Sequence, residues 1–86
     1  MLYYSNGGPG PATKLLRVEV PGSGSDYEAW LRAPAASWQP HSGWVPNTFV
    51  QLDILGLGEF FMVDASQVED IQNEMRAQVA KFQASQ

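Results

Sequence analysis

The 86-residue sequence contains no cysteine, a single histidine and only five lysine or arginine residues. Without cysteine, disulfide bonds, thiolate metal sites and cysteine catalysis are excluded. One histidine cannot form a cluster of histidine ligands, so no metal and no cofactor are expected. Nine acidic residues outweigh the five basic ones and give a formal net charge of −4. This charge argues against binding to nucleic acid or to an anionic membrane.

Long hydrophobic runs are lacking as well. The longest apolar-rich stretch, residues 52–63, is interrupted by Asp53, Glu59 and two glycines, and it falls short of the roughly 20 residues that span a bilayer. The N-terminus has neither a basic region nor an apolar run, so no signal peptide is expected. The sequence therefore predicts a soluble, cytoplasmic protein.

The composition is that of a folded protein, with 44% hydrophobic and 16% charged residues. The length allows one domain, which we expect to span residues 14–86 after a flexible Gly/Pro-rich arm at residues 1–13. A domain of this size buries only about 60% of the surface of its unfolded chain. Its core is therefore thin, and a partner chain could supplement it.

Alternating apolar residues predict a strand at residues 14–20, followed by turn residues and a returning strand at residues 27–32. Residues 33–46 contain three prolines, and this density predicts a long ordered loop. Two apolar runs at residues 47–55 and 59–64 predict a second pair of strands in the centre of the sheet.

From about residue 66 to residue 84 the apolar period changes to that of a helix. The stripe comprises Val68, Ile71, Met75, Val79 and Phe82. Ser66 with Glu69 fits a capping box, and Asp64 is the alternative cap. We expect the stripe to pack against Val18, Leu52, Ile54 and Val63. The predicted fold is α+β, a small antiparallel sheet of about four strands with one C-terminal amphipathic helix packed on it.

Catalysis has little support in the sequence. His41 is the only candidate base, its neighbour Ser42 is too close along the chain to face it, and no nucleophile-elbow motif occurs. The acidic residues at the start of the helix are explained by the helix dipole. We therefore predict a protein that is not an enzyme.

Residues 43–50 (GWVPNTFV) resemble a segment near the end of SH3 domains, and residues 26–29 (DYEA) resemble their opening. The resemblance implies an aromatic surface that binds proline-rich peptides. Only sixteen residues separate Ala29 from Pro46, too few for the SH3 strands between the two motifs, and a long helix follows. No family is therefore assigned.

The tryptophans and the acidic helix face are the candidate binding residues, because rigid aromatic side chains dominate interface hot spots. The candidate partner-binding residues are Trp38, Trp44, Trp30, His41, Asp70 and Glu74. The leading hypothesis is a protein-interaction module, such as a phage-type or antitoxin-like inhibitor that occludes a larger protein with a basic surface. The alternatives are a homo-oligomeric structural subunit, for example of a phage particle, and a small-molecule binder that uses the aromatic loop and His41.

Overall fold

Five short strands form one antiparallel sheet, and helices pack on both of its faces. The computed structural model describes residues 1–6, 12–20, 26–57 and 59–84. In chain order the elements are β1 (Leu2–Ser5), β2 (Leu15–Val18), α1 (Tyr27–Arg32), β3 (Ala35–Gln39), β4 (Gly43–Pro46), α2 (Val50–Leu57), β5 (Phe61–Val63) and α3 (Ala65–Ala84). The strand order is β4-β3-β2-β1-β5. The predicted α+β fold is confirmed, with five strands instead of about four.

The core has two parts, one on each face of the sheet, because neighbouring residues of a strand point to opposite faces. On one face Leu16 and Val18 pack with Trp30 of α1 and Val50 of α2. On the other face Leu15 and Trp38 pack with α3. The predicted arm contributes to this sheet, since residues 2–5 form β1 between β2 and β5. Residues 7–11 of the arm lie outside the described residues.

The predicted strand at residues 27–32 is wrong, because this segment is the helix α1. The Asp26 carboxylate accepts a hydrogen bond from the backbone N–H of Ala29 at 3.2 Å and caps the first turn. Trp30 then points into the core. Six residues can fit a period of two by chance, and the capping aspartate is the signal that identifies the helix.

The predicted strand at residues 47–55 is also wrong, because most of it belongs to α2. The side chain of Asn47 accepts a hydrogen bond from the Phe49 backbone N–H at 2.9 Å and forms a turn just before the helix. The buried Gln51 amide donates to the carbonyls of Trp30 and Ala33, which joins α2 to the end of α1. This polar contact fixes the position of one helix against the other.

The predicted loop at residues 33–46 is instead largely the β3–β4 hairpin. Pro34 precedes β3, Pro40 lies in the turn and Pro46 ends an edge strand, so none of the three interrupts a strand interior. Gly43 has a φ of 71°, which favours glycine. Trp38 and Trp44 are therefore cross-strand neighbours.

The C-terminal helix predicted at residues 66–84 is confirmed as α3. Of the two proposed caps, Asp64 occupies the cap position: its backbone N–H donates to the Gln67 side chain, and its carbonyl accepts from the Gln67 N–H, both at 2.9 Å. No helix in the described part of the chain is long and apolar enough to span a membrane.

Of the packing partners predicted for α3, Val18, Leu52 and Ile54 are wrong, whereas Val63 pairs with Tyr3 on the α3 side of the sheet. Val68, Ile71 and Met75 join the cluster that contains Leu15 and Trp38. Val18 and Ile54 pack in the cluster on the opposite face, Leu52 is exposed, and Phe82 at the end of the stripe is 65% exposed. The stripe could not be assigned to a face from the sequence, because both faces of this sheet are apolar.

Candidate interaction surface

The outer face of α2 is apolar and exposed. Phe49, just before the helix, and Leu52 are each 63% exposed, and Leu55 is 51% exposed. These residues lie on the side opposite the packed residues Val50 and Ile54. Gly56, a further exposed helix position, carries no side chain. We call Phe49, Leu52, Leu55 and Gly56 the α2 outer face; the half-buried Asp53 lies beside Phe49 at its border.

The neighbouring helix α1 adds two more exposed apolar residues, Tyr27 and Leu31. They are four residues apart and therefore lie on one side of α1. The Tyr27 ring stacks on Trp30 with 6.2 Å between ring centroids, so the exposed ring is anchored to the core. The two helices together present five large apolar side chains to solvent.

Two of the three candidate tryptophans are core residues. Trp30 is 7% exposed and its indole N–H donates to the Tyr4 hydroxyl at 3.0 Å. Trp38 is 5% exposed and lies on the opposite face of the sheet, with the Arg76 guanidinium 5.0 Å from its ring centroid. Little of either side chain is left for a partner, and the sheet separates them.

Trp44 is half-buried and belongs to a small cluster on the α3 face. Its ring lies 4.6 Å from the Arg17 guanidinium and 6.0 Å from the Tyr3 ring, measured between centroids for the two rings. Arg17 also forms an ion pair with Glu19 at 3.3 Å. These contacts hold the indole in a fixed position on the surface of the sheet.

The single histidine lies in the β3–β4 turn and is exposed. It lines a cleft of about 600 Å³ with residues near the end of α3, which are Gln78, Val79, Phe82 and Gln83. Within the described part of the chain, no group of three or more histidine, aspartate or glutamate side chains could hold a metal ion. The cleft offers a histidine and amide groups, with no charged side chain to fix a substrate.

Asp70 and Glu74 are exposed on α3. They are on the α3 side of the sheet, whereas the α2 outer face is on the other side. The structure therefore does not bring the six candidate residues into one site. Trp38, Trp44 and His41 share the β3–β4 hairpin, and Trp30 lies apart from them in the other half of the core.

The sequence interpretation missed the α2 outer face. Residues 49–57 are rich in apolar residues, and such a short apolar run resembles a buried strand. The Asn47 turn before the run is the signal that could have identified a helix. No family model matches the chain, and comparison with curated proteins and solved structures gives no significant match.

Proposed function

We propose that the protein is a non-enzymatic interaction module that binds a larger cytoplasmic protein through the α2 outer face. The observation that carries the proposal is the exposure of Phe49, Leu52 and Leu55 on a helix whose other side packs on the sheet. One side of α2 is buried against the sheet, and an exposed group of large apolar side chains on the other side is typical of an interaction site. A partner that covers the outer face would complete that burial.

The energetic gain of covering this face is substantial. Full burial of a leucine or phenylalanine side chain contributes about 1.5–3 kcal/mol. Three side chains that are half to two-thirds exposed would therefore contribute about 3–5 kcal/mol on binding. The flanking residues Tyr27 and Leu31 add to this gain, which has to exceed the roughly 4–15 kcal/mol that association costs in lost translational and rotational freedom. A module that occludes a surface of its partner in this way acts as an inhibitor or an adaptor.

A second copy of the chain is the alternative partner. Nine large hydrophobic residues are exposed among the described residues, while a chain of this length has a thin core. Self-association through the α2 outer face would bury several of them and stabilise the fold. A homo-oligomeric subunit is therefore the second candidate function.

Two matched double variants test the proposal. Leu52→Lys with Leu55→Lys places two charges on the α2 outer face, and Ala77→Lys with Ala80→Lys places the same charges on exposed positions of α3. Each variant and the wild-type chain are immobilised and incubated with extract of the cells that encode the sequence. The masses of the free proteins are measured by light scattering.

We expect the wild-type chain and the α3 variant to retain the same protein, and the α2 variant to lose it while it remains folded. A wild-type dimer that becomes monomeric only in the α2 variant would favour the homo-oligomer. Equal retention by all three chains would contradict the proposal, because the α2 outer face would then make no contact.

A further inference from the structure

The strand β5 is an apolar edge of the sheet. It pairs with β1 through Tyr3↔Val63, Tyr4↔Met62 and Ser5↔Phe61, and no described strand lies on its other side. Phe61 is 59% exposed and Met62 is 61% exposed. Since consecutive strand residues point to opposite faces, each face of the sheet presents one of these side chains at the edge.

Edge strands in proteins are commonly protected by charged residues or proline, because their backbone groups can pair with another chain. Residues 61–63 contain neither. Charged residues lie near the two ends of this segment instead, where Glu59 and Asp64 are exposed. The edge is therefore open for a short stretch of backbone pairing between two negative charges.

Two exposed acidic residues, Glu59 and Asp64, flank β5 directly, and the next acidic residues follow along α3. Residues 59–74 contain five acidic residues and no basic residue, and all five acidic side chains are exposed: Glu59, Asp64, Glu69, Asp70 and Glu74. A second copy is disfavoured here. Antiparallel pairing of two β5 strands about Met62 would bring Asp64 of one copy to the end where Glu59 of the other lies, so negative charges would gather at both ends of the pair and repel.

We propose that the β5 edge binds an extended peptide segment of a basic partner by strand addition. Backbone hydrogen bonds extend the sheet, apolar side chains of the peptide cover Phe61 and Met62, and flanking lysine or arginine residues face Glu59 and Asp64. The proposal does not depend on the α2 outer face and can hold or fail independently of it.

The test uses synthetic peptides and the ¹⁵N-labelled full chain. The probe is Lys-Lys-Val-Ile-Val-Lys-Lys, and binding is followed by changes in the amide chemical shifts. One control peptide carries glutamate in place of lysine. The other keeps the lysines but has N-methylated valines, which cannot donate backbone hydrogen bonds to a strand.

We expect shift changes centred on Phe61, Met62 and Val63. The N-methylated peptide should bind at least about tenfold more weakly, which is the loss of about one backbone hydrogen bond, and the glutamate peptide should not bind. Glu59→Lys should weaken binding by up to about fivefold, whereas Glu28→Lys, the same change on exposed α1, should leave it unchanged.

Three results would overturn the proposal: equal binding of the N-methylated peptide, shift changes confined to α3, or no binding of the probe at millimolar concentration. The first two would show a contact made by charge alone. Because the spectra of the variants also report folding, a loss of binding in Glu59→Lys cannot be confused with unfolding.

Discussion

At the scale of single residues, two glycines differ in whether their backbone conformation requires glycine. Gly43 starts β4 with a φ of 71°, a region that is costly for other residues. Gly56 lies inside α2 and does not have a positive φ. At both positions an added Cβ would meet no atom within 4 Å, so only the backbone decides the effect of a substitution.

We therefore predict opposite effects for the same chemical change. Gly43→Ala should lower the free energy of unfolding by about 1–2 kcal/mol, the cost of a left-handed conformation. Gly56→Ala should raise it by about 0.5–1 kcal/mol, because alanine is the better helix former. Urea denaturation followed by tryptophan fluorescence measures both. A destabilised Gly56→Ala chain would show that residue 56 is not helical or that the space around it cannot hold a methyl group.

Gly56 also bears on the proposed function, since it leaves a gap beside Phe49 and Leu52 in the α2 outer face. The fold gains nothing from that gap. A partner that approaches the helix closely would use it, because a glycine lets another chain come near the backbone.

At the scale of elements, the sequence predicted those whose pattern has one interpretation. The stripe of α3 extends over several turns and fits only a helix. The strands β2 and β5 lie within predicted segments, but the predicted central position of β5 is wrong, because it is an edge strand with Phe61 and Met62 exposed. The two helices α1 and α2 were mistaken for strands because one is too short to show a period and the other is a short run rich in apolar residues.

Proline density misled the interpretation of residues 33–46, since each proline lies at the boundary of a strand. Because residues 33–46 were interpreted as a loop, Trp38 was also wrongly expected to be available for binding. Trp38 was expected in a loop and lies in a strand, where alternation points it into the core. The α2 outer face could not be predicted, because an apolar sequence does not tell which of its residues remain exposed.

The packing of α3 on the sheet can be tested with a methionine pair. Met75 is buried against Leu15 and Trp38, whereas Met62 is exposed on β5. Met75→Ala should lower the free energy of unfolding by about 2–5 kcal/mol through lost burial and a cavity. Met62→Ala should change it by less than about 0.5 kcal/mol. Equal effects in urea denaturation would contradict the placement of α3.

At the scale of the whole molecule, the two sides of the sheet differ in chemistry. Residues 1–50 carry three basic and three acidic residues, so the net charge of −4 comes entirely from residues 51–86. Exposed acidic residues lie on α3 and beside β5, whereas the outer surface of α1 and α2 carries exposed apolar side chains next to the charged residues Glu28 and Arg32. The protein thus presents one surface suited to hydrophobic contact and another suited to a basic partner.

The separation of these surfaces explains why no single site unites the candidate residues. The sheet between them has a core on each face, and the polar contacts that join the elements, such as Gln51 to α1 and Gln78 to the carbonyl of Ala12, are internal to one side or the other. Binding at one surface leaves the other open. An adaptor that joins two proteins would use both.

The most direct test of the central claim places a photo-crosslinking amino acid, p-benzoylphenylalanine, at position 52 of the α2 outer face in living cells. The matched control carries it at position 77, an exposed alanine of α3. On irradiation we expect a discrete adduct with a larger protein at position 52 and none at position 77. No adduct at either position, or the same adducts at both, would contradict the claim that the α2 outer face is the binding surface.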